Sequence, residues 1–113
     1  DSKVGIAVGG DYTDPENPLS ICARTIDGGQ TWRAINANGP SGYRSSVAYI
    51  PHSNPPVWVA VGSHGADWSE DDGKSWLPIP GLVGYHSVSF GVDGTGMAVG
   101  SPGAPFMQLH LSR

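Results

Sequence analysis

"RTIDGGQTW", residues 24–32, and "WSEDDGKSW", residues 68–76, are one template written twice. Thr25, Asp27, Gly29, Thr31 and Trp32 stand against Ser69, Asp71, Gly73, Ser75 and Trp76, forty-four residues apart. Each stretch has the composition of a turn, yet each ends on a large aromatic ring. The Asp can accept hydrogen bonds from backbone N–H groups ahead of it. The Gly tolerates a positive φ, and the Ser or Thr hydroxyls can tie the strand ends together. A Trp just past the turn can bury its ring between adjacent sheets. The template therefore predicts a tight β-hairpin with its own core residue attached.

Two further markers recur. "AVGG" at 7–10 returns as "AVGS" at 60–63 and 98–101, and "GYRSSV" at 42–47 returns as "GYHSVS" at 84–89. Markers in one cyclic order at spacings near forty residues indicate a repeat architecture. Strands are expected at Gly5–Gly9, Leu19–Thr25, Trp32–Ile35, Arg44–Ile50, 57–62, Ala66–Glu70, Trp76–Ile79, His86–Phe90, Gly96–Gly100 and Phe106–Leu111. Their links are short and rich in Gly, Pro, Asn and Asp, which suits antiparallel neighbours. No helical period is visible.

Four strands every forty-odd residues is the spacing of a β-propeller blade. With strands lettered A to D from the axis outward, the chain reads BCD over 1–36, a complete blade over 37–80 and ABC over 81–113. The templated turn is then the C–D hairpin, a construction element needed once per blade. Ten strands cannot close a ring. The chain is therefore expected to be the C-terminal part of a propeller of roughly six to eight blades. The remaining blades would come from the same precursor, a second fragment or identical copies. Open ends would otherwise bare strand edges and an apolar sheet face.

The bulk properties agree with an all-β chain and exclude several classes. Gly (17) and Pro (10) are abundant among 113 residues, but four Trp and four Tyr lie between them, so the chain is not read as disordered. The net charge of -4 and the lack of a basic patch argue against nucleic acid. No apolar run reaches the roughly 18 residues of a membrane span. Cys22 has no internal partner and reads as a buried strand residue. "DDGKS" ends like a phosphate-binding loop, but the required first Gly falls at Trp68 and no helix follows.

The template S/T-x-D-x-G-x-T/S-W is similar to the Asp box, or BNR repeat, and both copies match it fully. Asp boxes occur in sialidases, some endoglucanases and sortilin-type receptors. With its "AVG" and "GY" markers the chain most resembles the photosystem II stability/assembly-factor-like propellers, along essentially its whole length. The third unit departs from the pattern, since "GAPFMQLHLSR" has no box and no strand D. The resemblance implies that the boxes lie away from the binding face, and it points to a periplasmic or secreted location.

In propellers the D–A and B–C loops open on one face around the axial channel. Here these are Ala37–Arg44, Gly81–His86, Gly9–Pro18, Gly62–Asp67 and Gly100–Pro105. Arg44 and His86 each follow Gly-Tyr and are candidates for contact with an anionic group or a polar peptide; the plainer reading pairs them with acids of neighbouring blades. Tyr43 and Tyr85 are binding candidates or packing residues. Asp11 sits in an acidic loop with Asp14 and Glu16, three carboxylates without the ligand spacing of a calcium loop. His64 is a candidate polar contact. No catalytic set, metal site or cofactor is expected from the residues. Two functions follow: a non-catalytic binding or assembly module for a protein or glycan ligand, or part of a sialidase-like or other glycoside hydrolase. The second needs an arginine cluster or an acid pair, and of Arg24, Arg33, Arg44 and Arg113 only Arg44 is well placed.

Overall fold

The computed structural model describes residues 3–10, 13–14, 21–100 and 107–109, the last by backbone alone. The described residues form ten strands: β1 (Gly5–Val8), β2 (Cys22–Thr25), β3 (Arg33–Ala34), β4 (Ser46–Tyr49), β5 (Trp58–Gly62), β6 (Gly65–Ser69), β7 (Leu77–Pro78), β8 (Tyr85–Phe90), β9 (Gly96–Gly100) and β10 (Met107–Leu109). Among the described residues there is no helix. Every strand pair is antiparallel, and the sheets run β1-β2-β3, β4-β5-β6-β7 and β8-β9-β10. The class is all-β, as the short apolar runs and turn residues require.

The middle sheet has both faces covered, and its alternation shows how. Val59, Val61 and Ala66 turn towards the third sheet and meet Leu82, Tyr85, Val88 and Ala98. Ala60 and Trp76 turn the other way and meet Ile21 and Cys22 of the first sheet, with Ile6, Val8 and Val47 around them. Each seam between sheets thus has its own apolar core, filled from strands whose residues point alternately to either side. The seams are closest at the first strands, with β4 packed on β8 and β1 touching β4.

Hydroxyls stitch the β4–β8 seam. Ser45 Oγ donates to the His86 carbonyl at 2.8 Å, and the Val88 amide donates to Ser46 Oγ at 3.2 Å. Across the other seam the Arg44 amide donates to the Gly9 carbonyl at 3.1 Å.

Several strand bounds depart from expectation, β6 running Gly65–Ser69 and β8 starting at Tyr85 among them. Strands β3 and β7 are two residues each, and the Trp of each box stands before its strand rather than beginning it. Strand β4 starts at Ser46 rather than Arg44, because Arg44 turns inward to an acid.

Candidate functional site

The two boxes are the same hairpin, bond for bond. In the first, Asp27 accepts from the Thr31 amide at 2.9 Å and the Thr31 hydroxyl at 2.6 Å. Thr25 Oγ1 donates to Asp27 at 2.7 Å and accepts from the Gly29 amide at 3.0 Å. Trp32 Nε1 donates to the Gly29 carbonyl at 3.1 Å. In the second, Asp71 accepts from the Ser75 amide at 2.9 Å and the Ser75 hydroxyl at 2.5 Å. Ser69 Oγ donates to Asp71 and accepts from the Gly73 amide, both at 2.8 Å, and Trp76 Nε1 donates to the Gly73 carbonyl at 3.0 Å. Gly29 and Gly73 hold φ of 95° and 89°, in the left-handed region that other side chains resist.

Each carboxylate is held by donors, which favours its ionised form. The Thr31 hydroxyl and amide, with the Thr25 hydroxyl, bring Asp27 down to about 2. Desolvation opposes ionisation of Asp71, but the hydrogen bonds from Ser75 and Ser69 outweigh it and its value is lowered too. These acids are therefore committed to turn geometry.

The second box is also gripped from the first sheet. Asp72 has φ of 63°, a conformation that Asp adopts more readily than most residues. Its carbonyl accepts from Arg24 Nε at 2.8 Å, and its carboxylate accepts from Trp58 Nε1 at 2.9 Å. The Arg24–Asp72 ion pair spans 3.8 Å.

At the opposite end of the sheets, Gly9 and the loops 37–44, 62–67 and 81–86 that the sequence singled out come together, while 11–12, 15–18 and 101–105 of the other two loops lie outside the described residues. Gly9 meets Arg44 through its carbonyl, the Gly84 amide donates to the Ser63 carbonyl at 3.0 Å, and a side chain at Gly65 would meet the Arg44 guanidinium. Arg44 itself is only 3% exposed. Its Nε donates to Asp67 Oδ2 at 2.8 Å, Nη1 to the Tyr43 carbonyl at 2.7 Å and Nη2 to Ser41 Oγ at 2.8 Å. Asp67 is fully buried on β6 of the same sheet, so the acid comes from Arg44's own sheet, not a neighbouring one.

The other candidates divide. Tyr85 is buried in the core with Val88 and Ala98, while Tyr43 is half-buried. His64 is exposed and its Nδ1 lies 2.8 Å from Ser63 Oγ. His86 is exposed, and its carbonyl accepts from Ser45. Asp11, like Glu16, lies outside the described residues. Cys22 is buried beside the Asp67 charge, and desolvation followed by that charge pushes its thiol up to about 11, which keeps it protonated at neutral pH.

Sequence reasoning missed Asp67 and Asp72 as partners. A signal for Asp67 existed: "GADWS" puts an acid inside a strand pattern, where Asp is disfavoured. A buried carboxylate demands a paired cation. Among the described residues, every buried side-chain nitrogen and oxygen has a hydrogen-bond partner, and no group of three or more His, Cys, Asp or Glu is placed to hold a metal ion.

Comparison with protein-family descriptions, with characterised proteins and with solved structures finds no match.

Proposed function

We propose that the chain is a segment of an Asp-box β-propeller that works as a non-catalytic binding or assembly module. Three facts support the propeller part of this reading. The box recurs bond for bond in successive sheets, neighbouring sheets approach most closely at their first strands, and "AVG" opens onto the same loop end each time. Further blades would complete the ring and cover the two outward sheet faces.

One observation carries the non-catalytic part. Arg44, the cation best placed for chemistry at the loop end, is buried and bonded to Asp67, Tyr43 and Ser41. A guanidinium so engaged positions the loops that surround it. The loop end then presents Tyr43, His64 and His86, a mixed aromatic and polar surface suited to a protein segment or a glycan. Loops on a rigid scaffold are a usual home of such contacts.

The test has two arms. A photo-crosslinking side chain at position 64 is expected to capture a defined partner, while one at the box tip, position 30, captures none. The same protein is expected to leave a panel of aryl glycosides, an aryl sialoside among them, intact. Turnover lost on His64→Ala or His86→Ala would contradict the reading, as would equal capture at positions 64 and 30.

A further inference from the structure

The seam between the first two sheets collects positive charge. Ile6 stands opposite Arg24 in β1 and β2, and Arg24 stands opposite Arg33 in β2 and β3. Opposed residues of an antiparallel pair share a face, and Ile6 packs towards the second sheet. Arg24 and Arg33 therefore both face the second sheet. Like charges directly opposite each other destabilise a strand pair. From across the seam the second box adds a third cation, Lys74. The three line one cavity of about 490 Å³, with Ile26, Trp32 and Ile35 as its apolar part. No acid and no histidine is among the residues that line it. The chain has six Lys and Arg against ten Asp and Glu, so half of its Lys and Arg side chains meet at this one cleft.

Internal pairing accounts for one of these charges. Arg24 donates to the Asp72 carbonyl at 2.8 Å and lies 3.8 Å from its carboxylate, which fixes the guanidinium at the seam. Arg33 and Lys74 are exposed and, among the described residues, enter no ion pair. Three cations against one carboxylate leave two positive charges. A cleft with low-dielectric walls focuses such a field and concentrates anions. Both walls belong to this chain, so the cleft does not depend on what covers the outer face of either sheet.

We propose that this cleft binds the phosphate group of an organic phosphate monoester, held by Arg24, Arg33 and Lys74. Such a group carries about -1.5 to -2 charges at neutral pH, which answers the two positive charges. A carboxylate supplies only one. The planar guanidinium fork of Arg33 suits two phosphate oxygens at once, and the Lys74 ammonium acts as a point charge. The cavity, at about 490 Å³, has the size of a small-molecule pocket and far exceeds a bare phosphate. Ile26, Trp32 and Ile35 give the carbon part of the ester an apolar wall. The site lies beside the boxes rather than at the loop end, and it does not rest on the propeller reading.

Isothermal titration calorimetry with phenyl phosphate, inorganic phosphate and benzoate tests this, with amide chemical shifts to locate the site. Phenyl phosphate is expected to bind at a single site and to shift Thr31, Arg33 and Lys74. Inorganic phosphate, which lacks the ring, and benzoate, which has one charge, are expected to bind more weakly. Arg33→Met and Lys74→Met, both at exposed positions, are each expected to weaken phenyl phosphate roughly tenfold with unchanged circular dichroism. Lys3→Met removes the same charge outside the cleft and is expected to leave the affinity as it was. Phenyl phosphate that does not bind overturns the proposal. So does benzoate that binds as tightly, or an affinity that both cleft variants leave unchanged. A phosphoserine peptide in the same titration separates the sources of the group. Binding tighter than that of phenyl phosphate, and lost in the same variants, assigns the phosphate to a modified protein segment; weaker binding assigns it to a free metabolite. Either result upholds the cleft as a phosphate site.

Discussion

Trp76 and Trp32 occupy the same position of the same hairpin, yet Trp76 is 5% exposed and Trp32 is 49% exposed. Their hydrogen bonds to Gly73 and Gly29 are alike, so the turn does not cause the difference. The neighbour does: the first sheet closes over Trp76, whereas Trp32 looks outward from that sheet's other face. Removal of a buried Trp costs about 3–5 kcal/mol. Trp76→Ala is expected near that range. Trp32→Ala costs much less in any single-chain state, since half of its surface is already in water. Urea denaturation of both variants measures the contrast, and equal losses would contradict it.

Gly73 and Gly29 make the same comparison through the backbone. Both have positive φ, so Ala at either position carries the left-handed penalty, roughly 1–2 kcal/mol. At Gly73 the new methyl would also strike Ile6, whereas at Gly29 the nearest atom is the Trp32 ring at 3.8 Å. Overpacking adds about 1–3 kcal/mol. Gly73→Ala is therefore expected to be clearly the worse of the two by thermal or urea unfolding. Equal effects would mean that the first sheet does not close on the second box.

Arg44 and Asp67 form a fully buried ion pair whose remaining donors reach Tyr43 and Ser41. Loss of one partner strands a buried charge and costs about 3–5 kcal/mol. Arg44→Met and Asp67→Leu are each expected to destabilise by that order. The double variant is expected to regain a large part of the loss, since no charge is then left unpaired. Strictly additive losses in the double-mutant cycle would show that the pair is not coupled as the 2.8 Å contact implies.

The all-β class was legible because Gly, Pro, Asn and Asp interrupt every apolar run. The boxes were legible because each residue of the template has one physical task, and Asp27 and Asp71 perform it identically. Pair partners were not legible. Nothing local says that Arg44 folds back onto Asp67, twenty-three residues away, or that Arg24 reaches Asp72 across a sheet seam. Those contacts depend on which strands become neighbours. Arg44 illustrates the gap: its place after Gly-Tyr pointed to the loop end, and the structure puts it there, but buried.

The box acids should make stability depend on pH. Asp27 lies at about 2 against an ordinary 3.8, and Asp71 is lowered as well. A value lower in the folded than in the unfolded state means that the unfolded chain binds protons first. The stabilisation is then complete above the unfolded value and is lost as pH falls towards the folded one. The urea midpoint is expected to fall between about pH 4 and about pH 2, and to fall less steeply in Asp27→Asn. A wild-type midpoint that stays level across that window would contradict the assignment.

The most direct measurement is hydroxyl-radical labelling of the native protein, with the oxidation of Trp32 and Trp76 read separately by mass spectrometry. If the outward face of the first sheet is built to be covered, both rings are protected in the native protein. Trp32 alone then gains reactivity when Ala7→Asp puts a charge on the same face of the first sheet. Trp32 labelled as fast in the native protein as in the Ala7→Asp variant would contradict the reading that this face is covered by a neighbouring sheet.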